Sequence, residues 1–596
     1  METSQKTALK GGEFLIKETD PQDVFIPEEW DEEQNMIAQT CHDFMEAEVF
    51  SRLDEIDSLK EGLMESLLTQ AGELGMLGIS VPEQYGGFGK DFVTSMLVTE
   101  ITGAGHAFAV AFSAHTGIGT LPILYYGNEE QKQKYVPKLA SGEWKACYCL
   151  TEPGSGSDAN SGKTKAVPTE DGKLHLITGQ KMWITNSGFA DVFIVFAKID
   201  DDENLSAFIL EKGMEGISLN PEEKKMGIKG SSTRQVFFNN VKVPAENMLA
   251  KRGEGFKIAL NILNIGRIKL AGAALGGCKR AITHSVRYAN EREQFGRPIS
   301  KYGAIRYKLA EQAIQTYVGE AATYRVSKNI EDAIKSLEAE GLDHQKATLK
   351  GVEQFAAEAA MMKVLGSEIL DYVVDEAVQV YGGMGYSAES PVERAYRDAR
   401  INRIFEGTNE INRLLTVDML LKKAMKGELD LMGPAKKVAD ELFDIPDFDD
   451  PTGELFEDED KYIKNFKKVI LMVAGSAAQK LMMQLAKEQE ILTNIADIAT
   501  WTYAAESALL RTKKLISLKG EEACSNQIAM TKVYIYDVAD KINKAAKDAL
   551  TAFAEGDELR VQLMGVKRFT KTTPTNTKTL RQQIAQKLIG ENKYCF

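Results

Sequence analysis

The sequence contains few cysteines and histidines, and neither residue type forms a pattern that would organise a fold or a metal site. Its six cysteines include no CxxC pair and give no disulfide framework, which is typical of a protein in a reducing compartment. The six histidines show no HExxH motif or similar ligand spacing. We therefore expect no bound metal.

Segments that would direct the chain to or through a membrane are also missing. Residues 1–20 carry acidic side chains and no apolar core run, unlike a secretory signal or an arginine-rich transit peptide. No uninterrupted apolar run has the length of a membrane-spanning helix. These absences predict a soluble, cytoplasmic protein.

Positive charge is in deficit, because 72 Lys and Arg residues face 87 Asp and Glu residues and leave a net charge of -15. Nucleic acid and anionic membrane surfaces are therefore not expected partners, and an anionic ligand would need a local basic patch. At 596 residues the chain is long enough for three or four domains.

The apolar periodicity changes along the chain and predicts a mainly α fold with an inserted β domain. Helical spacing is seen early, as at Leu63, Leu67 and Leu68, then extended runs appear, and helical spacing returns near residue 255. We predict a helical N-terminal domain (29–145), a middle β-barrel-like domain (146–254), a helical bundle (255–430), an acidic linker (431–460) and an additional C-terminal helical domain (461–596).

The predicted C-terminal domain opens with a basic amphipathic helix. Lysines flank a stripe of apolar residues. Such a helix can anchor a protein at a membrane interface, but globular bundles routinely contain helices of this kind, so the bundle-core interpretation is favoured. The stripe consists of Ile463, Phe466, Ile470, Val473, Ala477 and Leu481.

A single carboxylate, Glu406, stands between Phe405 and Gly407 just before a helix that could begin at Thr408 or Asn409. Apolar neighbours at a turn remove solvation, which favours the neutral carboxyl and raises its pKa toward the range of a general base. Taken alone, the stretch is more typical of an exposed glutamate near a helix N-terminus, where negative charge is favourable. The hypothesis of a catalytic base therefore depends on the rest of the chain.

Two loops of the predicted β domain could hold a planar cofactor. Residues 151–158 offer hydroxyls and backbone amides, and residues 179–186 place an indole at Trp183. The first loop matches G-x-G-x-x-A, but no helix is predicted to open at its glycines, so we reject a nicotinamide site. Near residues 104–119 a helix of small residues, including Ala109, Ala111, Ser113 and Ala114, fits either close helix packing or a groove for a long apolar ligand.

Five segments, taken in this order, resemble the acyl-CoA dehydrogenase family. The resemblance covers roughly residues 31–426, and residues 262–267 together with the C-terminal region are most similar to the very-long-chain branch of that family. The segments read TEPGSGSD (151–158), GQKMWITN (179–186), EREQFGRPI (291–299), QVYGGMGY (379–386) and RIFEGTNEINRL (403–414).

The resemblance implies an FAD-dependent enzyme of fatty acid β-oxidation. FAD would be the cofactor, a long-chain acyl-CoA the substrate and electron-transfer flavoprotein the electron acceptor. Glu406 would take the α-proton, while the backbone amide of Glu406 and a flavin ribityl hydroxyl stabilise the thioester oxygen. An acyl-CoA oxidase and a non-enzymatic assembly or scaffold protein are the open alternatives, and the presence of Glu406 argues against the second.

The resemblance also assigns site residues, and it implies that one subunit of a homodimer contacts the FAD of the other. Many family members have Thr or Ser and Gln where this chain has Gln294 and Glu410, so those two contacts depart from the family pattern. The FAD residues would be Tyr148, Leu150, Thr151, Ser157, Trp183, Ile184, Thr185, Thr408 and Glu410, with Arg292, Gln294, Phe295, Gln379 and Gly383 reaching across the interface. The substrate residues would be Ser157, Leu263, Asn264, Arg267 and Gly407.

Overall fold

The computed structural model describes residues 9–444 and 452–596. The N-terminal part is helical, and two of its helices begin where a side chain caps the free backbone amides. Asp31 and Gln34 form a reciprocal capping box at the first helix, as Asn128 and Gln131 do at the seventh. The helices are α1 (Glu32–Phe44), α2 (Leu53–Asp57), α3 (Leu63–Glu73), α4 (Phe92–Gly103), α5 (Ala107–Ser113), α6 (Leu121–Tyr126) and α7 (Glu129–Ser141).

The middle part is a β domain built around one fully buried strand, Val192–Ile199, which pairs on both sides. The sequence of such a strand is a nearly continuous apolar run, because both faces of the strand pack against the core. The strands are β1 (Ala146–Cys149), β2 (Lys165–Pro168), β3 (Leu174–Thr185), β4 (Val192–Ile199), β5 (Ser206–Glu211), β6 (Ile217–Leu219), β7 (Thr233–Pro244) and β8 (Met248–Leu249).

The inserted β domain is confirmed, but its predicted barrel-like closure is wrong for the described strands. The sheet follows the order β6-β7-β3-β2-β4-β5-β8, with β1 paired to β4, and its ends do not meet. Two small sheets are joined only where β2 and β4 pair in parallel at two positions, Lys165 with Lys198 and Ala166 with Ile199. The extended apolar runs identified the strands but gave no information on whether the sheet closes.

Helices return after β8 and form a bundle whose members approach closely at glycines. Gly276 faces the Glu100 carbonyl and Gly366 faces the Ala271 backbone, at distances that leave no room for a Cβ atom. The elements are α8 (Gly255–Glu291), β9 (Glu293–Gln294), β10 (Arg297–Pro298), α9 (Gly303–Ala339), α10 (His344–Gln354), α11 (Ala356–Tyr381), α12 (Pro391–Ala399) and α13 (Asn409–Met425).

The C-terminal part packs against the bundle through α9 and α13. Its long helix Glu457–Leu481 buries five residues of the predicted apolar stripe and leaves Leu481 half-buried, in agreement with the bundle-core interpretation. Its helices are α14 (Met432–Glu441), α15 (Glu457–Leu481), α16 (Gln489–Lys519), α17 (Ser525–Thr551), α18 (Gly556–Phe569) and α19 (Thr577–Glu591).

The predicted acidic linker, residues 431–460, is partly helical. Helix α14 lies inside it and α15 begins before its end, at Glu457. Residues 445–451, which contain the two prolines that suggested a linker, lie outside the described part of the chain. Helix α14 was not predicted because its apolar face is small and the acidic residues around it suggested a linker.

Among the described residues, three helical stretches are long and apolar enough to cross a membrane by length and composition, contrary to the sequence-based expectation. They are Ala107–Tyr126, Gly255–Glu291 and Glu457–Lys487. That expectation required an uninterrupted apolar run, whereas average hydropathy tolerates interspersed polar residues. In the first two stretches most of the apolar window is buried inside the protein, and in the third less than half is buried.

A buried ion network joins the C-terminal helices to the bundle, and we expect its loss to destabilise the protein. Glu506 on α16 accepts from Arg325 on α9 at 2.9 Å and from Lys467 on α15 at 2.5 Å. Glu506→Gln would leave two buried cations without a counter-charge, which should cost about 3 kcal/mol or more of unfolding free energy.

Calorimetric unfolding of Glu506→Gln and of a surface control decides the matter. The control is Asp548→Asn, which breaks an exposed ion pair with Lys544 on the same helix. This variant should leave the midpoint temperature of unfolding nearly unchanged. Equal, small shifts for both variants would contradict the structural role of the network.

Candidate active site

The candidate base, Glu406, lies in a turn that strains the backbone. Its φ is +59° and that of Gly407 is +82°, so two successive residues are left-handed. For a glutamate this conformation costs roughly 1–3 kcal/mol and persists only where the surroundings enforce it. The helix predicted after the turn begins at Asn409, and the Thr408 hydroxyl caps it by accepting from the backbone amide of Ile411.

Three side chains hold this turn through its carbonyl groups. Lys363 Nζ and Asn412 Nδ2 each donate to the Gly407 carbonyl at 2.8 Å. Arg267 Nε lies 3.4 Å from the Glu406 carbonyl. The strained conformation is therefore fixed from two helices, α8 and α11, and from the first turns of α13.

The carboxylate of Glu406 is poised to accept a proton. Its Oε2 atom is covered by protein and has no hydrogen-bond partner within the described residues. Burial raises the pKa of Glu406 to about 7, although the nearby charges of Arg267 and Lys363 act in the opposite direction. A carboxyl with this pKa is a suitable general base near neutral pH.

The carboxylate rests against a position on α8 that has no side chain. A Cβ atom added to Gly266 would lie 2.9 Å from Oε2 and 3.3 Å from Oε1 of Glu406. A methyl group there would push the carboxylate away, because real Cβ contacts are not this short. The missing side chain of Gly266 therefore leaves room for the Glu406 carboxylate. Sequence analysis did not assign this role to Gly266.

Glu406 lies on the wall of a largely apolar cavity of about 200 Å³. Small residues of the segment 104–121 form one wall, and Ala109, Ser113 and Ala114 are among them. Ala111 is not, because it lies two residues from Ala109 on another face of the helix and packs in the N-terminal core. The predicted groove is thus present, but one of the four residues assigned to it was wrong.

The opposite wall of the cavity is one face of α8. Its residues recur at spacings of three and four, so a single helical face runs along the cavity. This spacing was visible in the sequence and could have identified the wall once the carboxylate was placed beside it. The lining residues of α8 are Ile262, Ile265, Gly266, Lys269, Leu270, Ala273, Ala274, Gly277, Arg280, Ala281 and His284.

The predicted substrate residues do not line the cavity, and three of them, Asn264, Arg267 and Gly407, are connected to the turn that holds the base. Arg267 donates from Nη1 to Asn264 Oδ1 at 2.7 Å, so the buried Asn264 orients the arginine. Leu263 is half-buried, Gly407 contributes its carbonyl to the turn, and Ser157 is exposed in its loop. Their assignment as substrate contacts stays a prediction.

Two predicted cofactor residues are linked to this site, Thr185 through the cavity wall and Tyr148 through the charge of Glu406. Tyr148 is buried on β1, its hydroxyl has no partner within the described residues, and burial together with the charge of Glu406 raises its pKa well above the usual range. Thr185 lines the cavity, and Trp183, at a φ of +62°, leaves 52% of its surface exposed. An exposed indole two residues from the cavity-lining Thr185 offers a stacking surface, and the Tyr148 hydroxyl offers a free hydrogen-bonding group, both of which suit a planar group such as a flavin.

The remaining residues of this set do not line the cavity. Leu150 and Ile184 are buried, and the side chains of Thr151 and Ser157 make no hydrogen bond within the described residues. Beyond the base, Thr408 caps α13 and Glu410 is exposed in its first turn.

The residues predicted to reach across a subunit interface lie on the surface and do not line the cavity. Phe295 is at the tip of the β9–β10 hairpin and is 94% exposed. Arg292 and Gln294 flank it, while Gln379 and Gly383 are exposed at and after the end of α11. One copy of the chain therefore does not bring these five residues to the base.

Comparison with known proteins identifies the architecture. Sequence models described as acyl-CoA dehydrogenase N-terminal, middle and C-terminal domains match residues 31–143, 147–241 and 253–421. A further model, also described as an acyl-CoA dehydrogenase C-terminal domain, matches residues 465–568.

Individual relatives agree over nearly the whole length. A probable acyl-CoA dehydrogenase of Bacillus subtilis is 46% identical over 585 residues, 98% of each chain. A crystal structure of an acyl-CoA dehydrogenase complexed with FAD from Bacillus anthracis has a TM-score of 0.96 and 47% identity, and covers 99% of this chain and 100% of its own. The human mitochondrial very long-chain specific acyl-CoA dehydrogenase is 42% identical over 391 residues, 64% of this chain and 56% of its own. The chain belongs to the acyl-CoA dehydrogenase family.

Proposed function

We propose that this FAD-dependent acyl-CoA dehydrogenase acts on long-chain acyl-CoA thioesters in β-oxidation, in the cytoplasm, and passes electrons to electron-transfer flavoprotein. The observation that carries the proposal is the unpaired carboxylate of Glu406, with a pKa of about 7, on the wall of an apolar cavity. The six cysteines are all free thiols, as expected in a reducing cytoplasm.

Glu406 supplies the proton-transfer half of the reaction. Its carboxylate removes the α-proton of the thioester. Trp183, Thr185 and Tyr148 would hold FAD, which would supply the acceptor for the β-hydride. The backbone amide of Glu406 donates no hydrogen bond within the described residues, so it is free to bind the thioester oxygen. Charge that develops on this oxygen would be stabilised by a donor that the strained turn already holds in place.

The walls of the cavity support a long acyl chain. Gly117 has open space where a Cβ atom would be, next to the small residues Ser113 and Ala114. The lining face of α8 continues from Gly266 to His284, a distance of roughly 27 Å at the usual rise of an α-helix. Each additional methylene buried there should contribute roughly 0.8 kcal/mol until the groove is full.

Anaerobic titration of the purified holoenzyme tests this function. Butyryl-, octanoyl- and palmitoyl-CoA should bleach the flavin absorbance, with the highest kcat/KM for palmitoyl-CoA. Glu406→Gln should keep its FAD and lose turnover by orders of magnitude, because the amide preserves the shape but cannot accept the proton. A preference for butyryl-CoA would contradict the long-chain substrate. A Glu406→Gln variant that retains more than about a tenth of the wild-type rate would contradict Glu406 as the base. Rapid peroxide formation in air would contradict electron-transfer flavoprotein as the acceptor.

The pH dependence should report the pKa of Glu406. The base works only when deprotonated, so kcat/KM should rise with pH and reach half its plateau near pH 7. Arg267 acts to lower this pKa, and Arg267→Met should therefore shift the rise to higher pH. If the variant has normal FAD content and the pH of half-maximal kcat/KM stays the same or falls, another group controls the pH profile.

We further propose that the chain forms a homodimer in which the β9–β10 hairpin reaches the partner's FAD. Phe295 at the hairpin tip and Tyr386 after α11 are 94% and 90% exposed, an unusual state for large aromatic side chains. The helices α16 and α19 cover α9 of the bundle, which supports a dimer over a larger assembly. Pairing would cover both aromatic residues.

Light scattering and flavin content test the dimer. Phe295→Asp should yield a monomer that has lost much of its FAD, because a cofactor shared across a two-fold interface is lost when the pair separates. The matched control is Met36→Asp on α1, which changes a similarly exposed apolar residue away from the hairpin. A dimeric Phe295→Asp with full FAD would contradict the shared site, and a tetrameric wild type would contradict the covering role of the C-terminal helices.

A further inference from the structure

The apolar cavity contains one lysine whose charge is not matched by the protein. Lys269 lines the cavity on the same face of α8 as Gly266, roughly 4.5 Å further along the helix axis. Its side chain makes no hydrogen bond and no ion pair with any residue that the structure describes. Its ammonium nitrogen is also absent from the unpartnered atoms that protein covers completely, so it borders open space.

The other ionisable bases on the cavity wall are matched or neutral. Arg280 pairs with Glu46 at 3.5 Å and Arg394 pairs with Asp57 at 2.9 Å. His106 Nδ1 lies 3.0 Å from Asp398 Oδ2. Burial and neighbouring arginines lower the pKa of His284 to about 4, so this histidine is uncharged near neutral pH.

Glu406 does not serve as the counter-charge of Lys269. Arg267 and Lys363 are the cations that act on the carboxyl of Glu406, and Lys269 is not among them. Burial alone lowers the pKa of Lys269 to about 8, with no carboxylate opposing it. The ammonium group thus borders the cavity without pairing with the base, and the wall beside it includes the apolar residues Leu270 and Ala273.

An ammonium group in apolar surroundings loses solvation that only a hydrogen-bonded anion restores well. Since the described protein supplies no such anion, the best partner is one that enters the cavity with the acyl chain. A carboxylate suits this position better than a hydroxyl, because a charged pair gains most where the local dielectric is low.

We propose that the cavity accepts acyl-CoA thioesters whose chain carries a second, distal carboxylate, and that Lys269 Nζ binds this carboxylate. The inference rests on the proposed function and specifies an additional class of substrate for the same site. Lys269 then orients the chain without taking part in proton transfer.

Paired substrates of equal length test the inference on the purified holoenzyme. Octanoyl-CoA is compared with octanedioyl-CoA, and tetradecanoyl-CoA with tetradecanedioyl-CoA, by anaerobic flavin bleaching and by kcat/KM. In at least one pair the wild type should use the dicarboxylic member within tenfold of its partner. Lys269→Met, which keeps the length of the side chain and removes its charge, should lower that ratio at least tenfold.

Two further variants separate charge from shape. Lys269→Arg retains the cation and should retain most of the ratio, whereas Leu270→Met changes the adjacent apolar wall without changing charge and should leave the ratio unaltered. FAD content is measured for every variant. A lysine that serves the flavin would reduce FAD content or slow both members of each pair equally in Lys269→Met, and this result would overturn the inference.

The outcomes distinguish this inference from the proposed function. If neither monocarboxylic thioester bleaches the flavin, the proposed function itself fails. If they bleach it while the wild type disfavours both dicarboxylic thioesters more than a hundredfold, or if Lys269→Met leaves the ratio unchanged, only the role of Lys269 is refuted.

Discussion

The site depends on one constraint: a carboxylate must lose water without gaining an ion pair. Arg267 and Lys363 both lie close enough to act on the charge of Glu406, yet their hydrogen bonds go to the carbonyls of residues 406 and 407 and to the side-chain oxygens of Asn264 and Asn409. Had either cation bonded the carboxylate directly, the pKa would have fallen and the group would be a poorer base. The carbonyl groups of the strained turn accept hydrogen bonds from these two cations. The turn therefore keeps them from bonding the carboxylate and lowering its pKa.

Helix α8 meets this constraint on one side and shapes the cavity on the other. Gly266 admits the carboxylate, while Gly276 brings the same helix against α4 so closely that no Cβ atom fits. Close backbone contact of this kind fixes a helix more firmly than flexible side chains would. The position of the base and the width of the cavity thus depend on the same rigid element, which leaves little freedom for one to change without the other.

Much of this arrangement could be predicted from the sequence, and the failures have physical causes. The periodicities gave the helical and β parts, and the residues around Glu406 indicated a turn with a desolvated carboxylate. Gly266 was not assigned to the site because its importance arises from contact with a residue 140 positions away, which local pattern does not reveal. Ala111 was misplaced because small residues at neighbouring positions look alike until the helix is oriented. The prediction of sheet closure was wrong for a similar reason, since an extended apolar run indicates a strand but not which strands pair with it.

Charge placement elsewhere in the fold gives the cavity its significance. Several buried cations in other regions pair with carboxylates: Lys181 with Glu152 at 2.7 Å and Arg511 with Glu320 at 2.6 Å. Glu406 and Lys269 depart from this pattern, and both face the same cavity. A protein can stabilise its fold by pairing charges, whereas a charge that is left unpaired beside a cavity costs stability and is useful only toward a molecule that enters it. For Glu406 that molecule brings a proton, and for Lys269 the same reasoning requires that it bring an anion.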